Sequence, residues 1–488
     1  MGTGFSERWG HLRGHLRDVT LADVFDIRAL GFALSLAWAY IVLFSTTIHF
    51  SMRNDVSHLN SVVGFSSVGV LAVLLLAAFA SRPFMGAMRS ALVRWAAPVV
   101  MAVATLTLVI VDIDVIRQPW CSLASTLAGG GLGVLYLAWG SVFRGVPIAR
   151  AVVNTASAFT LAALLFALAV ALPRPVGVAL TVALPLAVGF VLFTVLGVWR
   201  ESPEIEPRRV SRGAFSVGAV LSLGVLSFAE SLMRALFFNA SPIISEGSYP
   251  WLFLLATIVS VAVVVAPLLA SSELDFSLAY RVSALALAFV FLLLPILDLG
   301  SFAADLLALV IYCVVTLLIW TALVRITGLY GISALVAFGI GWGAHTAGSL
   351  AGTFGGALLG SYLELTPKLL SILALACTCL LFFAYVVLSS KRFLGRLSCS
   401  DAGARRRGNG GRRPFCDRCS KLAEQHGLTP REQEIMMLLA KGRSTPRICS
   451  KLGLTAGTVN THLTHLYRKL DVHDKQELID LLEEAGDA

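Results

Sequence analysis

Long apolar stretches separated by short polar breaks make up most of the chain. Between residues 30 and 388 there are twelve such stretches, each close to the roughly 20 apolar residues that a helix needs to cross a hydrocarbon layer of about 30 Å. From Lys391 onward the pattern changes to short amphipathic periods with turn residues between them, which is typical of a small helical domain. The pattern therefore predicts an all-α protein with twelve spanning helices and a polar C-terminal part.

The predicted spans have boundaries that are loose by several residues. Their cores are 30–50, 62–80, 96–116, 123–143, 151–172, 176–199, 214–237, 251–270, 282–299, 302–324, 332–351 and 369–388. The eleventh is rich in glycine, which predicts either close packing against a neighbouring helix or a helix break at a binding site.

The longest polar break within the apolar region, residues 200–213, lies between the sixth and seventh spans. It divides the membrane domain, 30–390, into halves 30–199 and 214–390. This layout resembles the major facilitator superfamily of transporters, which implies two six-helix halves around a central binding cavity. The glycine, aspartate and basic signature of that superfamily between helices two and three is not recognisable in residues 81–95. This departure argues against active transport.

Lysine and arginine are distributed unevenly among the loops. Alternate loops carry eleven of these cations on one side and four on the other, and cationic loops stay in the cytoplasm. Both termini are therefore predicted to be cytoplasmic, and the N-terminal segment, 1–29, shows no cleavable signal peptide. We expect a multi-pass protein of the inner (cytoplasmic) membrane, with the lipid bilayer as a partner.

The composition excludes other classes of protein. With 57% hydrophobic and 14% charged residues and a mean hydropathy of +0.81, the chain is neither a soluble globular protein nor a disordered one. Residues 391–428 hold ten Lys/Arg against three Asp/Glu, so a net of +7 out of the +9 of the chain lies there. We expect 391–427 to be a flexible basic linker. Its arginines either contact anionic lipid or nucleic-acid phosphate, or form a positive flank with no specific partner.

Chemistry-bearing motifs are few. Cys416 and Cys419 form a C-x-x-C pair, but a zinc site needs four ligands, and the nearest others, Cys399, His426 and Cys449, are scattered. We therefore expect neither a metal nor a cofactor. The sequence contains no kinase signature, ATP-binding loop or receiver-like alternation of strands and helices, and we expect no enzymatic activity.

Five ionisable side chains fall in or near the predicted spans, where such groups mark a pathway, a ligand contact or a pair. They are Asp112, Asp114, Glu230, Arg234 and His345. The spacing of Glu230 and Arg234 indicates either an i, i+4 ion pair or a polar site facing a central cavity. The aspartates lie at the membrane interface or contact a ligand, and His345 either packs with its hydrogen bonds satisfied or contacts a ligand. The ligand would be a small molecule that the sequence does not identify.

Helix start and stop signals divide the tail, 428–488, into four helices. Thr429 and Glu432 form a capping box at the start of the first. The second lies between residues 445 and 453, and the fourth begins at Asp474. A short second helix, a tight glycine turn and a third helix together have the layout of a helix-turn-helix, which places its second helix in the DNA major groove.

The third helix of the tail has two different faces. Val459, Leu463, Leu466 and Leu470 recur at spacings of four, three and four, which predicts a buried stripe. The opposite face presents short hydrogen-bonding side chains followed by cations. Ten residues of the tail are predicted to contact DNA: Thr458, Asn460, Thr461, Thr464 and His465 in the groove, and Arg431, Arg443, Arg447, Arg468 and Lys469 at phosphates.

The charge distribution of the tail favours this interpretation. Residues 429–469 hold seven Lys/Arg and two Asp/Glu, a net of +5, whereas 470–488 hold one against seven, a net of −6. A small helical domain with solvated charges would explain the caps but not this polarity. We expect the basic part to face DNA and the acidic last helix to contact protein.

The tail resembles the LuxR-type helix-turn-helix of bacterial transcription regulators. The resemblance rests on Leu428-Thr-Pro-Arg-Glu432, on Ala440-Lys-Gly-Arg-Ser444, on Thr458-Val459 with His462, and on Leu466-Tyr-Arg-Lys-Leu470. It implies a four-helix domain whose third helix reads double-stranded promoter DNA and whose fourth supports a homodimer. Asn460 and Cys449 stand where that family usually has Lys and Ala, so the preferred DNA site cannot be carried over.

Three hypotheses for function follow. The leading one is a membrane-bound one-component transcriptional regulator whose bundle senses a small molecule. The second is a secondary transporter that carries a regulatory DNA-binding tail. The third is a membrane anchor that only concentrates a regulator at the membrane.

Overall fold

The structure is a computed structural model with two compact units, Met1–Ser398 and Cys399–Ala488. It describes residues 26–44, 56–111, 117–144, 146–199, 217–240, 249–269, 289–290, 293, 302–330, 332–363, 366–388, 422–423, 426–440, 445, 452, 456–474, 477–478 and 481. Within these ranges every regular element is helical, which confirms the predicted all-α class.

The first unit is a bundle of long helices. They are α1 (Ile27–Phe44), α2 (Val56–Phe79), α3 (Ser81–Met88), α4 (Ala91–Val111), α5 (Arg117–Arg144), α6 (Ile148–Ala171), α7 (Arg174–Gly189, continued by a π-helical turn Phe190–Val195), α8 (Val217–Ala240), α9 (Tyr249–Leu269), α10 (Phe302–Tyr330), α11 (Ala334–Tyr362) and α12 (Pro367–Leu388). Seven helices of the described part are long and apolar enough to cross a membrane.

Eleven of the twelve predicted spans coincide with a described helix. The ninth, 282–299, lies largely outside the described residues, as do the break 200–213 and most of the linker 391–427. Helix α3 was not predicted, because its eight residues are too short to show a clear period. Arg94 supports the end of α3, since its guanidinium donates to the carbonyl oxygens of Met88 at 3.0 Å and Arg89 at 2.8 Å.

Helix contacts repeat between the two halves of the bundle. In the first half α1 packs on α6 and α7, and α2 packs on α5; in the second half α8 packs on α11 and α12, and α9 packs on α10. The halves meet where α2 contacts α11 and where α6 contacts α9. The repeat that relates the two halves also relates these two interfaces to each other, so the described helices of the bundle have a pseudo-twofold arrangement.

Glycines bring α8 and α11 close together. A Cβ atom at Gly348 would overlap the backbone carbonyl of Gly224, and one at Gly352 would lie 2.5 Å from the carbonyl oxygen of Phe228. Helix α11 runs without a break through all these glycines. The interpretation of the glycine-rich span as a closely packed helix is therefore confirmed, and its interpretation as a broken helix is wrong.

An aromatic core lies between the halves. Phe32 of α1 stacks on Trp320 of α10 with ring centroids 4.4 Å apart, and Trp342 of α11 lies 5.3 Å from both Trp320 and Tyr136 of α5. Trp320 has no exposed surface. Because rings from both halves interlock, movement of one half against the other requires this core to repack.

The second unit contains α13 (Pro430–Ala440) and α14 (Ala456–Leu470). Its core is formed by Leu422, Ala423, Ile435, Met436, Leu438, Leu439, Val459, Leu466, Leu470, Val472 and Leu478. The apolar stripe predicted for the third helix of the tail is confirmed, with Leu463 partly buried at its edge. The predicted second helix lies outside the described residues except for 445 and 452, both helical.

The core of the second unit begins ahead of the predicted domain boundary at Leu428. Leu422 and Ala423 are 4% and 5% exposed and belong to the same apolar cluster as α13 and α14. Gly427 has φ +61, and the Leu428 amide donates to the carbonyl of Ala423 at 2.9 Å. These are the marks of a helix that ends at a glycine C-cap, so the residues entering the domain are part of its fold.

Candidate DNA interface and intramembrane polar cluster

Helix α14 presents one buried face and one exposed polar face. Val459 and Leu466 are fully buried and Leu470 is 3% exposed. The exposed residues on the other side are Thr458, Asn460, Thr461, Thr464, His465 and Arg468. At 100° per residue these six fall within an arc of roughly 160°. The structure therefore places all the predicted groove contacts, with Arg468, on one accessible surface, which we call the groove face.

Two threonines of the groove face have their hydroxyl protons engaged. Thr461 Oγ1 donates to the Gly457 carbonyl and Thr464 Oγ1 donates to the Asn460 carbonyl, each at 3.0 Å. The oxygen lone pairs and the methyl groups remain free to face outward. Such a threonine accepts hydrogen bonds from the amino groups of cytosine or adenine and packs its methyl group on thymine. Asn460 offers both a donor and an acceptor, the pair that matches adenine.

The capping box at the start of α13 is confirmed. The Thr429 amide donates to Glu432 Oε2 at 2.7 Å, and the Glu432 amide donates to Thr429 Oγ1 at 3.3 Å. Beyond α14, Asp474 Oδ1 accepts from the Glu477 amide at 2.9 Å. The Glu477 carboxylate returns to the amide of His473 at 2.6 Å. At both helix starts the residue that the sequence identified as the cap, Thr429 or Asp474, accepts a backbone amide from three residues further on.

The predicted phosphate contacts differ in their surroundings. Arg431 reaches Glu434 at 2.6 Å and the Leu452 carbonyl at 3.1 Å. Lys469 Nζ reaches Glu432 Oε2 at 2.8 Å and the Gly427 carbonyl at 3.1 Å. Arg468 is exposed and makes no hydrogen bond or ion pair with any other described residue. Arg443 and Arg447 lie outside the described residues.

The carboxylate of Glu432 is held in its charged form. Burial by itself raises the pKa of Glu432, but the hydrogen bond from Lys469, the amide and hydroxyl of Thr429 and the Lys469 charge outweigh burial and lower this pKa to about 2. The side chain is only 4% exposed. The carboxylate therefore fastens the start of α13 to the end of α14.

The charged Glu432 carboxylate predicts that the second unit is less stable at acid pH. A carboxylate with a depressed pKa stabilises the fold above its ordinary pKa and loses that contribution as the pH falls from about 4.5 to about 2. Glu432→Gln removes the charge, so we expect it to cost about 2–3 kcal/mol at neutral pH and to flatten the pH dependence in that window. Hydrogen exchange of α13 at several pH values, corrected for intrinsic rates, measures both effects. Equal pH slopes in the two proteins would contradict the assignment.

A ladder of polar side chains joins α8 to α11 inside the bundle. Ser227 lies 2.7 Å from His345, Ser231 lies 2.7 Å from Ser349, and Arg234 lies 3.4 Å from Thr353. Successive rungs are about one helical turn apart on both helices. Three of the five predicted intramembrane residues, Glu230, Arg234 and His345, are therefore brought together on one contact surface. The other two, Asp112 and Asp114, lie outside the described residues.

Glu230 and Arg234 form a buried ion pair. Arg234 Nε lies 3.1 Å from Glu230 Oε1, and the two side chains are 5% and 1% exposed. Ser231 Oγ donates to the other carboxylate oxygen at 2.7 Å. The guanidinium carbon also lies 5.8 Å from the ring centre of Phe44 in α1 and 5.6 Å from that of Tyr312 in α10. Arg234 thus contacts aromatic rings of both halves.

His345 is held by its neighbours. Its Nδ1 contacts Ser227 Oγ, and its ring lies 4.8 Å from that of Trp342. The Ser227 hydroxyl also lies 2.8 Å from the Leu223 carbonyl, which only accepts. Because Ser227 has a single proton, both contacts are hydrogen bonds when His345 carries its proton on Nδ1. The structure thus has His345 packed with its Nδ1 hydrogen bond satisfied.

The sequence did not indicate the aromatic partners of the ion pair. Phe44 and Tyr312 come from helices far from α8 in the chain, and isolated aromatic residues are common in spanning segments. Ser231, Ser349 and Thr353 were also missed. The spacing of four from His345 to Ser349 and Thr353 on α11 was the available signal, and it becomes informative only once α8 and α11 are known to be neighbours.

The two units are similar to different known proteins. Residues 426–482 match the family described as bacterial regulatory proteins, luxR family. The transcriptional activator protein ExaE of Pseudomonas putida is 45% identical over 64 residues, 13% of this chain and 30% of that protein. The response regulator protein VraR of Staphylococcus aureus is 41% identical over 64 residues, 13% of this chain and 31% of that protein. The chain therefore spans less than a third of the length of these two relatives, and its C-terminal domain is a LuxR-type helix-turn-helix.

The membrane unit is similar in fold to a solved transporter. The crystal structure of the human organic anion transporter MFSD10 (TETRAN) matches 76% of this chain and 100% of that chain with a TM-score of 0.51 and 16% sequence identity. At this identity the likeness concerns the fold alone. The six-plus-six, transporter-like architecture expected from the sequence is confirmed.

Proposed function

We propose that this protein is a membrane-bound one-component transcriptional regulator. The observation that carries the proposal is the groove face of α14, an exposed polar arc backed by a buried apolar stripe, within a LuxR-type domain on a chain that also has a membrane bundle. Recognition helices of this kind insert such an arc into the major groove. The exposed face carries hydrogen-bonding side chains along its length and Arg468 near its C-terminal end. Packing of a purely structural helix does not require this order of side chains.

We assign the groove face to base contacts and its end to the backbone. Asn460, Thr461 and Thr464 carry donors, acceptors and methyl groups that match base edges, whereas Arg468 offers a charge suited to phosphate. Arg443 and Arg447 remain proposed phosphate contacts. The acidic residues after Leu470 are proposed to support a homodimer on promoter DNA, since they would repel the phosphate backbone.

For the membrane unit we propose sensing of a small molecule by the polar ladder between α8 and α11. Arg234 contacts rings of α1 and α10 as well as Glu230, so a ligand that disturbs this cluster favours a different packing of the two halves. Signalling requires such a preference for one of two states. The proposed location is the inner membrane with both termini in the cytoplasm, where the tail reaches DNA.

A transporter with a regulatory tail is the competing function, and the transporter-like fold is the observation that favours it. It predicts uptake of a solute by proteoliposomes containing the protein. A passive anchor makes a different prediction. Replacing residues 30–390 by an unrelated membrane anchor would preserve regulation by an anchor and abolish regulation by a sensor.

Genome-wide DNA occupancy of the intact protein tests the regulator. We expect discrete peaks at promoters that disappear when residues 428–488 are deleted, with the truncated chain still present in the membrane. Absence of peaks in every growth condition, together with solute uptake by proteoliposomes, would contradict regulation and favour transport. The operons under the peaks would indicate the chemistry of the ligand.

A further inference from the structure

The C-terminal end of the proposed recognition helix is joined to the chain that enters the domain. Lys469 Nζ donates to the Gly427 carbonyl at 3.1 Å. His426 Nδ1 lies 3.1 Å from the backbone carbonyl of Lys469, and because a carbonyl only accepts, the ring donates this bond. The entering residues and the end of α14 are thus joined by two hydrogen bonds in opposite directions.

The ammonium of Lys469 is already engaged inside the domain. Besides Gly427 it contacts the buried carboxylate of Glu432 at 2.8 Å, and its side chain is only 30% exposed. Two of its three N–H donors are therefore used within the unit. A phosphate contact by Lys469 would have to use its third N–H donor alone, because leaving Glu432, which is only 4% exposed, would strand a buried carboxylate without its partner.

Arg468, the preceding residue, has the opposite surroundings. It lies on the groove face, is exposed, and makes no hydrogen bond or ion pair with the other residues that the structure describes. Two neighbouring cations on one helix thus have different surroundings, although the sequence alone suggests the same role for both.

The end of α14 itself depends on this region. Asp471 has φ +53, and the Val472 amide donates to the Tyr467 carbonyl at 3.0 Å. This is a Schellman termination with a non-glycine residue in the left-handed conformation, which carries a local cost. The hydrogen bonds made by His426 and Lys469 stabilise the last turn of α14, next to Asp471.

We propose that Lys469 is a positioning residue and not a phosphate contact. Together with His426 it clamps the recognition helix to the entry segment, of which the structure describes residues 422, 423, 426 and 427, so that these last residues of the linker belong to the DNA-binding unit. The proposal rests on the proposed function, because it concerns how the same helix is oriented on DNA. It also gives the linker a direct route to the recognition helix, since a displacement of the entry segment loosens its C-terminal end.

The salt dependence of DNA binding separates positioning from phosphate contact. We would use the full chain in lipid nanodiscs with a promoter duplex from the occupancy map, between about 50 and 200 mM salt. Each phosphate contact contributes about 0.9 to the slope of log K against log salt concentration. We expect Arg468→Met to reduce the slope by about that amount. Lys469→Met should weaken specific binding about tenfold at every salt concentration, a cost of roughly 1.4 kcal/mol, and leave the slope unchanged.

A second variant guards against loss of the fold. Glu432→Gln with Lys469→Met removes both charges, so no carboxylate is left buried without its partner. This double variant should keep the wild-type slope, bind specific DNA more weakly, and exchange the last amides of α14 faster. A residue that acts only on stability would change the unfolding temperature but not the affinity of the folded protein.

The outcomes are distinct. A slope reduced by about 0.9 in Lys469→Met, as in Arg468→Met, would make Lys469 a phosphate contact and overturn the proposal. Wild-type affinity in the folded double variant would overturn it as well. No binding by the wild-type chain to any duplex would contradict the proposed function instead, and hydrogen exchange of α14 in the same variants would still test the clamp.

Discussion

Replacing Asn460 and Thr464 together by alanine is expected to reduce binding at specific promoter sites to the level of non-specific DNA. Both residues lie exposed on the groove face of α14, away from the buried stripe of Val459, Leu466 and Leu470. A good base contact contributes about 1–3 kcal/mol of discrimination, so losing two lowers specific affinity by roughly 30-fold to about 20,000-fold. Non-specific affinity, which depends on phosphate contacts, should change little.

The measurement compares the affinities for a promoter duplex and for a scrambled duplex at one fixed salt concentration. His473→Ala is the control, because the His473 side chain is polar, is 86% exposed and lies beyond α14. The control should keep the wild-type ratio of specific to non-specific binding. An unchanged ratio in the Asn460 and Thr464 variant would remove the groove face as the surface that reads DNA.

Glu230→Gln is expected to destabilise the membrane unit by about 3–5 kcal/mol, because it removes the carboxylate 3.1 Å from a guanidinium that is buried in the bundle. Replacing both partners, Glu230→Gln with Arg234→Met, removes the buried charge as well as its counterion. Buried pairs replaced in this way by residues of similar volume commonly cost little. The double variant should therefore be more stable than the single one, which is the opposite of additive behaviour.

Thermal unfolding of the purified chain in lipid nanodiscs gives both values in one series. Arg28→Gln serves as the control, since the Arg28–Asp26 pair is 3.8 Å apart with side chains 39% and 25% exposed, and such pairs contribute less than about 1 kcal/mol. If Glu230→Gln behaved like this control, the ion pair would not be a structural element of the bundle. Loss of the regulatory response in a double variant that still folds would show that the cluster around Glu230 and Arg234 takes part in sensing.

The sequence predicts most of the membrane unit because the hydrocarbon layer imposes a single length and polarity on each span. Eleven predicted cores fall on described helices for that reason. It does not predict α3, a short amphipathic helix whose last carbonyls are capped by the guanidinium of Arg94. Nor does it decide between packing and breaking of α11, since the partner of its glycines, α8, lies more than a hundred residues away.

The candidate sites divide in the same way. Local rules, namely helix caps and the period of the buried stripe, determine which residues of α14 face outward, and these rules act over three or four neighbours. They also identify Glu230 and Arg234 as a possible pair, because four residues make one turn. Each of these inferences could be made from adjacent letters alone.

The tertiary structure alone decided which cations are available and which residues share a cluster. Lys469 and Arg468 read alike in the sequence, but Lys469 faces Glu432 and Gly427 whereas Arg468 points outward. Arg234 likewise acquires Phe44 and Tyr312 from distant helices. The physical reason is common to both cases. A charged group goes where its desolvation is best compensated, and that place is set by the packing of segments far apart in the chain.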